Sequence, residues 1–303
     1  QRFRNYFDQT IASYRQNDIE YLELDIDMFE SYVDDKRAAI MKQTENRSLS
    51  SSFRLVLYQP TVEKLLLVAD PQLIVEKDEA NQYVKPDWFL FLDEISDEGL
   101  SATDDEFKRY FNRFDSIFQY ENREQKCIVT PSDNDVGKEY YGDKQPILRQ
   151  RFRNYFDQTI ALYRQNDIEY LKLDLDMFES YVDDKRAAIM KQTQNRSLSS
   201  SFRIVLNHWP SLTHSARFVK PFINELEPNL ILNGDSHHFY IFLYDRINMK
   251  TRILAREYLL QPFFSIDLNQ NSFIYEISVP TCSYRMGVIR IGYIVLLLDS
   301  CMI

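Results

Sequence analysis

Side chains that can bind metal ions follow five short apolar runs in this sequence of 303 residues. The runs cover residues 65–69, 88–92, 127–129, 204–206 and 230–232. Each is followed, directly or within four residues, by Asp, Glu, Asn, Gln or His, and three of the four histidines in the chain, His208, His237 and His238, lie at such ends. Oxygen and imidazole ligands without thiolate suit Mn, Fe, Zn or Mg better than copper or an iron–sulfur cluster.

If these residues held two divalent cations, the site could catalyse a reaction. Two cations about 3.5–4 Å apart, bridged by a carboxylate, polarise a phosphoryl oxygen for in-line attack. The chemistry to expect is therefore phosphoester hydrolysis. The carboxylates need the bound cations before an anionic substrate can approach, which agrees with the net charge of −10.

The apolar runs themselves predict the elements that position these residues. Runs of three to five apolar residues without alternation are typical of strands buried on both faces, and helical stretches at 105–118 and 215–226 would cover them. We therefore expect an α/β sandwich. Open α/β sheets bind ligands beyond the carboxyl ends of their strands, which is where the five polar groups stand.

A purely structural role for the same residues stays open. A single Asp or Asn after a strand is most often a turn former or a helix cap, so the chain could be an α/β globule without a site. Capping does not explain histidines at two strand ends, and this favours the metal site.

Composition excludes several classes of protein. Lys and Arg total 36 against 46 Asp and Glu, and an acidic chain without a basic run is not expected to bind nucleic acid. The three cysteines lie far apart and predict neither a zinc knuckle nor a disulfide framework. The longest apolar run, residues 291–298, is far short of the ~20 residues of a membrane helix. We expect it to be a buried strand, and we expect neither a membrane span nor a signal peptide in this chain.

Residues 1–57 return almost unchanged as residues 150–206. Five of the 57 positions differ, and the pairs are Ser13/Leu162, Glu23/Lys172, Ile26/Leu175, Glu45/Gln194 and Leu55/Ile204. A near-identical pair 149 residues apart is a duplication and not a solenoid. In the first copy, hydrophobic spacing predicts a helix over 2–21, a strand over 22–28 and a helix over 34–43.

The two copies continue into different sequences. The second runs on into Asn207 and His208, and the first into Tyr58 and Gln59. We therefore expect residues 60–303 to form the main domain and residues 1–57 to be an extra, loosely packed appendage. Two equivalent small domains are the alternative, although each copy offers little core of its own.

Several segments resemble motifs of the calcineurin-like metallophosphoesterase superfamily, in the order in which that superfamily carries them. The closest resemblance is to the eukaryotic branch of enzymes that remodel glycosylphosphatidylinositol anchors. The segments are 69–72 (ADPQ), 86–99 (ending DEG), 107–114 (FKRYFNRF), 131–137 (PSDNDVG) and 280–287 (PTCSYRMG). The resemblance implies a metallophosphoesterase-type β-sandwich flanked by helices over residues 60–303.

The resemblance also implies site residues. A first cation would be held by Asp70, Gln72, Glu94 and His237, and a second by Glu94, Asp133, His208 and Asp235. Asn134, Asp135 and His208 would be the catalytic residues. Asn134 stands where the superfamily keeps a histidine that protonates the leaving group, and an amide does not donate a proton at neutral pH.

The function implied is that of a phosphodiesterase with two divalent cations, Mn before Fe, Zn or Mg. Its substrate would be the ethanolamine-phosphate of a glycosylphosphatidylinositol glycan, with simpler phosphoesters as the other possibility. Members of the branch lie in membranes of the endoplasmic reticulum or Golgi. In this chain, membrane association is expected only through segments that it lacks. The alternative is a catalytically impaired relative that binds a metal or a partner without turnover.

Overall fold

Two β-sheets packed face to face, with helices on their outer faces, form the main body of the described structure. The structure, a computed structural model, describes residues 11–16, 19–24, 62–71, 84–96, 99–120, 126–137, 145–157, 160–165, 167–174, 182–193, 202–213, 219–256, 266–268, 272–283, 287–288 and 291–299. The α/β sandwich with helices on both sides, predicted from the sequence, is confirmed.

The strands agree closely with the apolar runs. They are β1 (Ile11–Gln16), β2 (Ile19–Leu24), β3 (Val62–Val68), β4 (Trp88–Phe91), β5 (Lys126–Val129), β6 (Ala161–Gln165), β7 (Ile168–Lys172), β8 (Phe202–Leu206), β9 (Leu230–Asn233), β10 (Tyr240–Asp245), β11 (Lys250–Arg256), β12 (Phe273–Ser278) and β13 (Ile294–Asp299). The helices are α1 (Asp104–Phe118), α2 (Asp133–Val136), α3 (Gln145–Phe156), α4 (Val182–Thr193) and α5 (Val219–Leu226). β13 is the buried strand expected near the end of the chain.

Most of the strands in each sheet run in parallel. The four-stranded sheet has the order β13-β3-β4-β5, with β3, β4 and β5 parallel and β13 antiparallel. The seven-stranded sheet has the order β11-β10-β12-β9-β8-β7-β6, in which β7, β8, β9 and β12 are parallel. Parallel strands end at the same edge of a sheet, so the loops after β3, β4 and β5 lie together, as do those after β8 and β9.

Three apolar layers hold this arrangement together. The layer between the sheets includes Leu65 and Leu90 from one sheet and Ile204 and Leu232 from the other, all fully buried. The second layer packs α1 and α3 on the four-stranded sheet, and the third packs α4 and α5 on the seven-stranded sheet. Burial on both faces explains why the strands are continuous apolar runs.

Helix α1 shows how the sequence defines one of the covering helices. Thr103 caps its first turn in a capping box with Glu106, and the helix ends at Gln119, which adopts a left-handed conformation. Four buried phenylalanines are spaced three or four residues apart and face the sheet: Phe107, Phe111, Phe114 and Phe118. The helix predicted over 105–118 is thereby confirmed.

The helix predicted over residues 2–21, and over the matching 151–170, is wrong in its second half. In the second copy, α3 ends at Phe156 and the chain continues as the hairpin β6–β7. In the first copy, β1 and β2 form the same hairpin in the same register, with Ala12 opposite Glu23 as Ala161 is opposite Lys172. The helix over 34–43 has its counterpart in α4, but residues 34–43 themselves lie outside the described residues.

The two hairpins have different surroundings. β6 and β7 form one edge of the seven-stranded sheet, whereas β1 and β2 make a separate two-stranded sheet within the described residues. Lys172, which is Glu23 in the first copy, is fully buried and its Nζ donates to the Val129 carbonyl 3.2 Å away in the opposite sheet. This contact favours the second copy as the integral one. That residues 1–57 are an appendage stays a prediction.

None of the helices in the described part of the chain has the length and apolar character needed to cross a membrane.

Candidate metal centre

The loops after β3, β4, β5, β8 and β9 bring polar side chains from both sheets together. Gly234, after β9, lies directly against the loops that follow β3 and β4. A Cβ on Gly234 would lie 2.7 Å from the Asp93 Cβ and 2.9 Å from the Leu92 carbonyl oxygen, so a larger residue does not fit here. The absence of a side chain at 234 therefore allows the two sets of strand ends to meet.

Asp93 lies at the centre of this group and contacts two histidines. Its Oδ1 is 2.9 Å from His208 Nδ1, and its Oδ2 is 3.7 Å from His237 Nδ1. The Asp93 side chain is fully buried, at the end of β4. One carboxylate of the four-stranded sheet thus joins two imidazoles of the seven-stranded sheet.

Asp70 completes a first cluster. Its Oδ2 is 2.8 Å from His237 Nδ1, and both residues have a left-handed backbone, with φ of 47° and 56°. Such φ values are uncommon outside glycine and often mark functional sites. One ligand atom from each of Asp70, Asp93 and His237 lies within 4.8 Å of the others, a spacing that suits a single cation.

His208 contacts a second group of acids through its other ring nitrogen. The His208 Nε2 lies 3.5 Å from Asp133 Oδ1 and 3.6 Å from Asp235 Oδ1. The side chains of Asp133 and Asp235 are 14% and 27% exposed, whereas His208 is only 6% exposed. The site therefore has a buried floor and a rim that solvent reaches, as a substrate would require.

Glu94 and Asn134 lie next to these clusters. Glu94 was expected to bridge two cations, but Asp93 is the carboxylate that contacts both histidines. The Asn134 amide donates a hydrogen bond to Glu94 Oε1, and the Glu94 backbone N–H donates to Asp93 Oδ1 at 2.9 Å. Asn134 therefore lies at the site but is held by a neighbouring carboxyl group.

The Asp135 carboxylate binds loop residues and contacts neither histidine of the site. Its carboxylate accepts hydrogen bonds from Ser132 Oγ at 2.8 Å, from Ser96 Oγ at 3.4 Å and from the Ile95 backbone N–H at 3.5 Å. These bonds tie the loop after β4 to the loop after β5. The structure thus gives Asp135 a role in positioning the loops that carry Asp93 and Asp133.

Crowding of acids and imidazoles changes the pKa values at the site. Burial, and then the nearby Asp93, raise the pKa of Glu94 to about 9, and burial raises that of Asp93 to about 7. The hydrogen bond with Asp70 raises the pKa of His237 to about 9. Burial lowers the pKa of His208, but Asp93, Asp133 and Asp235 outweigh it, so the pKa lies well above its usual range.

The donor set fits divalent cations. Asp70 Oδ1, Asp93 Oδ2 and Glu94 Oε2 are buried and have no hydrogen-bond partner among the described residues. Buried carboxylate oxygens are rarely left in this state, and a cation would satisfy them. Oxygen with one or two imidazole nitrogens suits Mn, Fe or Zn.

A buried glutamate supports the loop that carries His208. Glu276 on β12 accepts hydrogen bonds from the backbone N–H groups of Ser211 and Leu212, at 2.6 and 2.9 Å. The His208 carbonyl in turn accepts from the Asp235 N–H at 3.2 Å, which joins the loops after β8 and β9. Burial raises the pKa of Glu276 to about 7. These contacts fix the position of the imidazole.

A small pocket opens beside His208 and Asp133. Its walls are the loop 131–137, the loop 207–209 and Asp174, which pairs with the buried Arg149. Trp209 forms one side, with its ring centroid 5.0 Å from that of His208. The pocket gives access to the second group from the solvent.

The structure brings together most of the residues predicted from the sequence. Those at the site are Asp70, Glu94, Asp133, Asn134, His208, Asp235 and His237, with Asp135 just behind it. Gln72 lies outside the described residues. Asp93 was not among the predicted ligands, although its place directly after the run 88–92 was the available signal.

Comparisons with known proteins give little further guidance. No family model matches the chain, and no curated protein matches it either. A solved structure described as "GAP50 the anchor in the inner membrane complex of Plasmodium" is similar over 63% of this chain and 70% of that chain, with 11% identity and a TM-score of 0.44. This is a distant likeness, and membership of the metallophosphoesterase superfamily stays a prediction.

Proposed function

We propose that this protein is a divalent-metal-dependent phosphoesterase. The observation that carries the proposal is Asp93, a buried carboxylate that lies between His208 and His237 with Asp70 beside it. Buried acids and imidazoles that converge from separate strands, with shifted pKa values, are typical of functional sites.

The donors divide into two sets. Asp70, Asp93 and His237 would hold a first cation, and His208, Asp133 and Asp235 would hold a second, with Asp93 adjacent to both. When bound, two such cations polarise a phosphoryl oxygen and stabilise the charge that develops on it. Glu276 and Asp135 hold the loops in place, and the exposed rim admits the substrate.

The residue that would serve the leaving group is Asn134. Its amide can orient a phosphoester oxygen by hydrogen bonding but cannot protonate it. General acid catalysis is worth about 10²–10⁴-fold, so we expect slow turnover of substrates with poor leaving groups.

The substrate proposal rests on the sequence resemblance alone. On that basis, we propose a phosphodiester such as the ethanolamine-phosphate of a glycosylphosphatidylinositol glycan, with Mn²⁺ as the preferred cation. On the same basis, we propose that the protein acts at a membrane of the endoplasmic reticulum or Golgi. Simple phosphomonoesters are the other substrate class to test.

A second candidate function is a catalytically impaired relative that binds cations or a partner without turnover. The hydrogen bond between Asn134 and Glu94 favours this second candidate. The Asn134 amide stands where catalysis would need an acid, and its N–H is already bound to the Glu94 carboxyl group. The two candidates share the cation site and differ in hydrolysis.

Calorimetric Mn²⁺ titration and hydrolysis of bis(4-nitrophenyl) phosphate test both candidates. We expect cation binding and Mn²⁺-dependent hydrolysis, both lost on His208→Ala and retained in Asp105→Asn, a matched exposed site on α1. Binding without hydrolysis would favour the impaired relative. A folded wild-type protein that binds no divalent cation would overturn both.

A further inference from the structure

The hairpin of β10 and β11 exposes an unusual amount of apolar surface. Ile247 and Met249 in its turn are 77% and 64% exposed, and Ile253 and Leu254 on β11 are 41% and 40% exposed. Ile147 on α3 is the remaining large hydrophobic residue exposed in the described part of the chain. Exposed apolar residues gathered on one element are typical of an interaction surface.

The turn that presents Ile247 and Met249 is firmly built. The Asp245 carboxylate accepts hydrogen bonds from the Ile247 and Asn248 backbone N–H groups, each at 2.9 Å, and from the Asn248 amide at 2.7 Å. Met249 has a φ of 52°, a strained conformation for a residue with a side chain. The two apolar side chains are therefore held outward by a rigid turn, which lowers the entropy cost of binding through it.

The charge of the hairpin is opposite to that of the chain. Residues 246–256 contain four basic residues and no acidic one, whereas the whole chain carries −10. Lys250 and Arg252 are exposed beside the apolar side chains, and Arg246 is half-buried, with its guanidinium on the Pro228 carbonyl. Asp245 is the acid nearest to the turn, and its carboxylate is engaged within the turn itself.

The turn lies at the opposite edge of the sheet from the candidate metal centre. β10 begins at Tyr240, which pairs with Ser278, and Ser278 is level with Asn233 at the carboxyl end of β9. It ends at Asp245, opposite Phe273 at the start of β12. The length of a strand therefore separates the turn from the metal centre, and changes in the turn leave the cation ligands untouched.

We propose that the turn and β11, residues 246–254, dock on the surface of an anionic lipid bilayer. Exposed apolar side chains for the headgroup region, next to basic side chains for anionic lipid, are the combination that binds such a surface. Lys250 and Arg252 lie where they would meet anionic headgroups, and each such residue strengthens binding. The hairpin would give this chain a membrane contact of its own.

Vesicle co-sedimentation of the full chain tests the proposal. At about 0.1 M salt we expect binding to phosphatidylcholine vesicles with about 30% phosphatidylserine to be at least about tenfold tighter than to phosphatidylcholine alone, and to weaken in high salt. Ile247→Ser with Met249→Asn should weaken binding about tenfold, and Lys250→Glu with Arg252→Glu should do the same. Asn tolerates the φ of position 249, and Ser keeps the N–H that Asp245 binds.

The controls distinguish lipid docking from misfolding and from self-association. Ile147→Ser removes a similarly exposed isoleucine on a helix and should leave vesicle binding unchanged. Thermal unfolding and the Mn²⁺ titration should be the same in all hairpin variants. The substituted side chains are exposed, and the turn lies a strand's length from the candidate metal centre. Equal binding to both vesicle types, no binding, unchanged binding by the double variants, or a dimer that the double variants dissociate would each overturn the proposal.

Discussion

His208 Nδ1 lies 2.9 Å from Asp93 Oδ1, and this contact joins the two sheets at the edge where their strands end. His208 follows β8 in the seven-stranded sheet, and Asp93 follows β4 in the four-stranded sheet. Both side chains are buried, so the contact is little screened by water. Cation binding, activity and stability should therefore respond to changes at this centre, in its loops and in the packing of the sheets beneath it.

Replacing Asp93 by Asn should weaken cation binding at both sets of donors, because Asp93 is adjacent to each. We expect a loss of affinity of about 100-fold or more, which exceeds the 10- to 100-fold typical of residues that only support a ligand. Calorimetric titration with Mn²⁺ measures the change. Asp105→Asn on α1 is the matched control and should bind as the wild type does. Wild-type affinity in Asp93→Asn would remove Asp93 from the centre.

Without cations, the protein should become less stable as the pH rises from about 4.5 to about 9. The pKa of Glu94 rises from its usual 4.5 to about 9 on folding, and that of His237 from 6.5 to about 9. Both groups hold protons more tightly in the folded state. Their contribution is therefore full below the unfolded pKa and is lost as the pH rises through the folded pKa.

Thermal unfolding in chelator, followed by circular dichroism at several pH values, measures this loss. Each kcal/mol lost should lower the midpoint by about 1.5–2 °C in a protein of this size. Added Mn²⁺ should stabilise the protein more as the pH rises, since the cation competes with protons for the same atoms. A metal-free midpoint that rises with pH would contradict the assignment.

Lys172→Glu should destabilise the protein by about 3 kcal/mol, because an acceptor would face the Val129 carbonyl where a donor now does, in a fully buried position. Glutamate is the residue that the first copy carries at the matching position, so the variant tests which copy the fold requires. Urea denaturation measures the free energy of unfolding.

The reciprocal change, Glu23→Lys, is the control and should alter the free energy of unfolding by less than about 0.5 kcal/mol if residues 1–57 are an appendage. Deletion of residues 1–57 should likewise preserve the unfolding midpoint if that segment is an appendage. An equal loss of stability in both single variants would instead support two equivalent domains.

Asn134→His should raise the rate of hydrolysis, because it introduces a group that can protonate a leaving oxygen. We expect at least about a tenfold gain with an alkyl phosphodiester and a smaller one with a nitrophenyl ester, whose leaving group needs less protonation. Steady-state kinetics with both esters measure the difference, and Asn134→Gln serves as the control. A gain equal for both esters would argue against acid catalysis.

The strands could be predicted from the sequence because each is a short apolar run that ends at polar residues. Burial on both faces leaves no alternation, and β3, β4, β5, β8 and β9 all begin and end within a few residues of their runs. The side chains that follow them could be placed at one edge because parallel strands share their direction.

The hairpin β6–β7 could not be predicted because helical spacing continues by coincidence beyond the end of α3. Helix α3 ends at Phe156, because the next residue, Asp157, has a φ of 78° that a right-handed helix cannot contain, and the pairing of β6 with β7 then decides the structure. Such pairing depends on contacts between strands and leaves little trace in local spacing.

The sequence places Asp93 directly after a strand, but it could not predict that this residue contacts both histidines. Asp93 and Glu94 are neighbours of the same chemistry, and motif order alone pointed to Glu94. Which carboxylate reaches both histidines depends on how the seven-stranded sheet approaches the loop, and that approach is set by Gly234, 141 positions further along the chain.

Because the donors are divided between two sheets, the spacing between them is decided in the interior of the sandwich and not at its rim. Trp88 of one sheet and Tyr170 of the other pack with ring centroids 4.7 Å apart in that interior. A smaller ring at either position should therefore change the distances between donors that lie on different sheets.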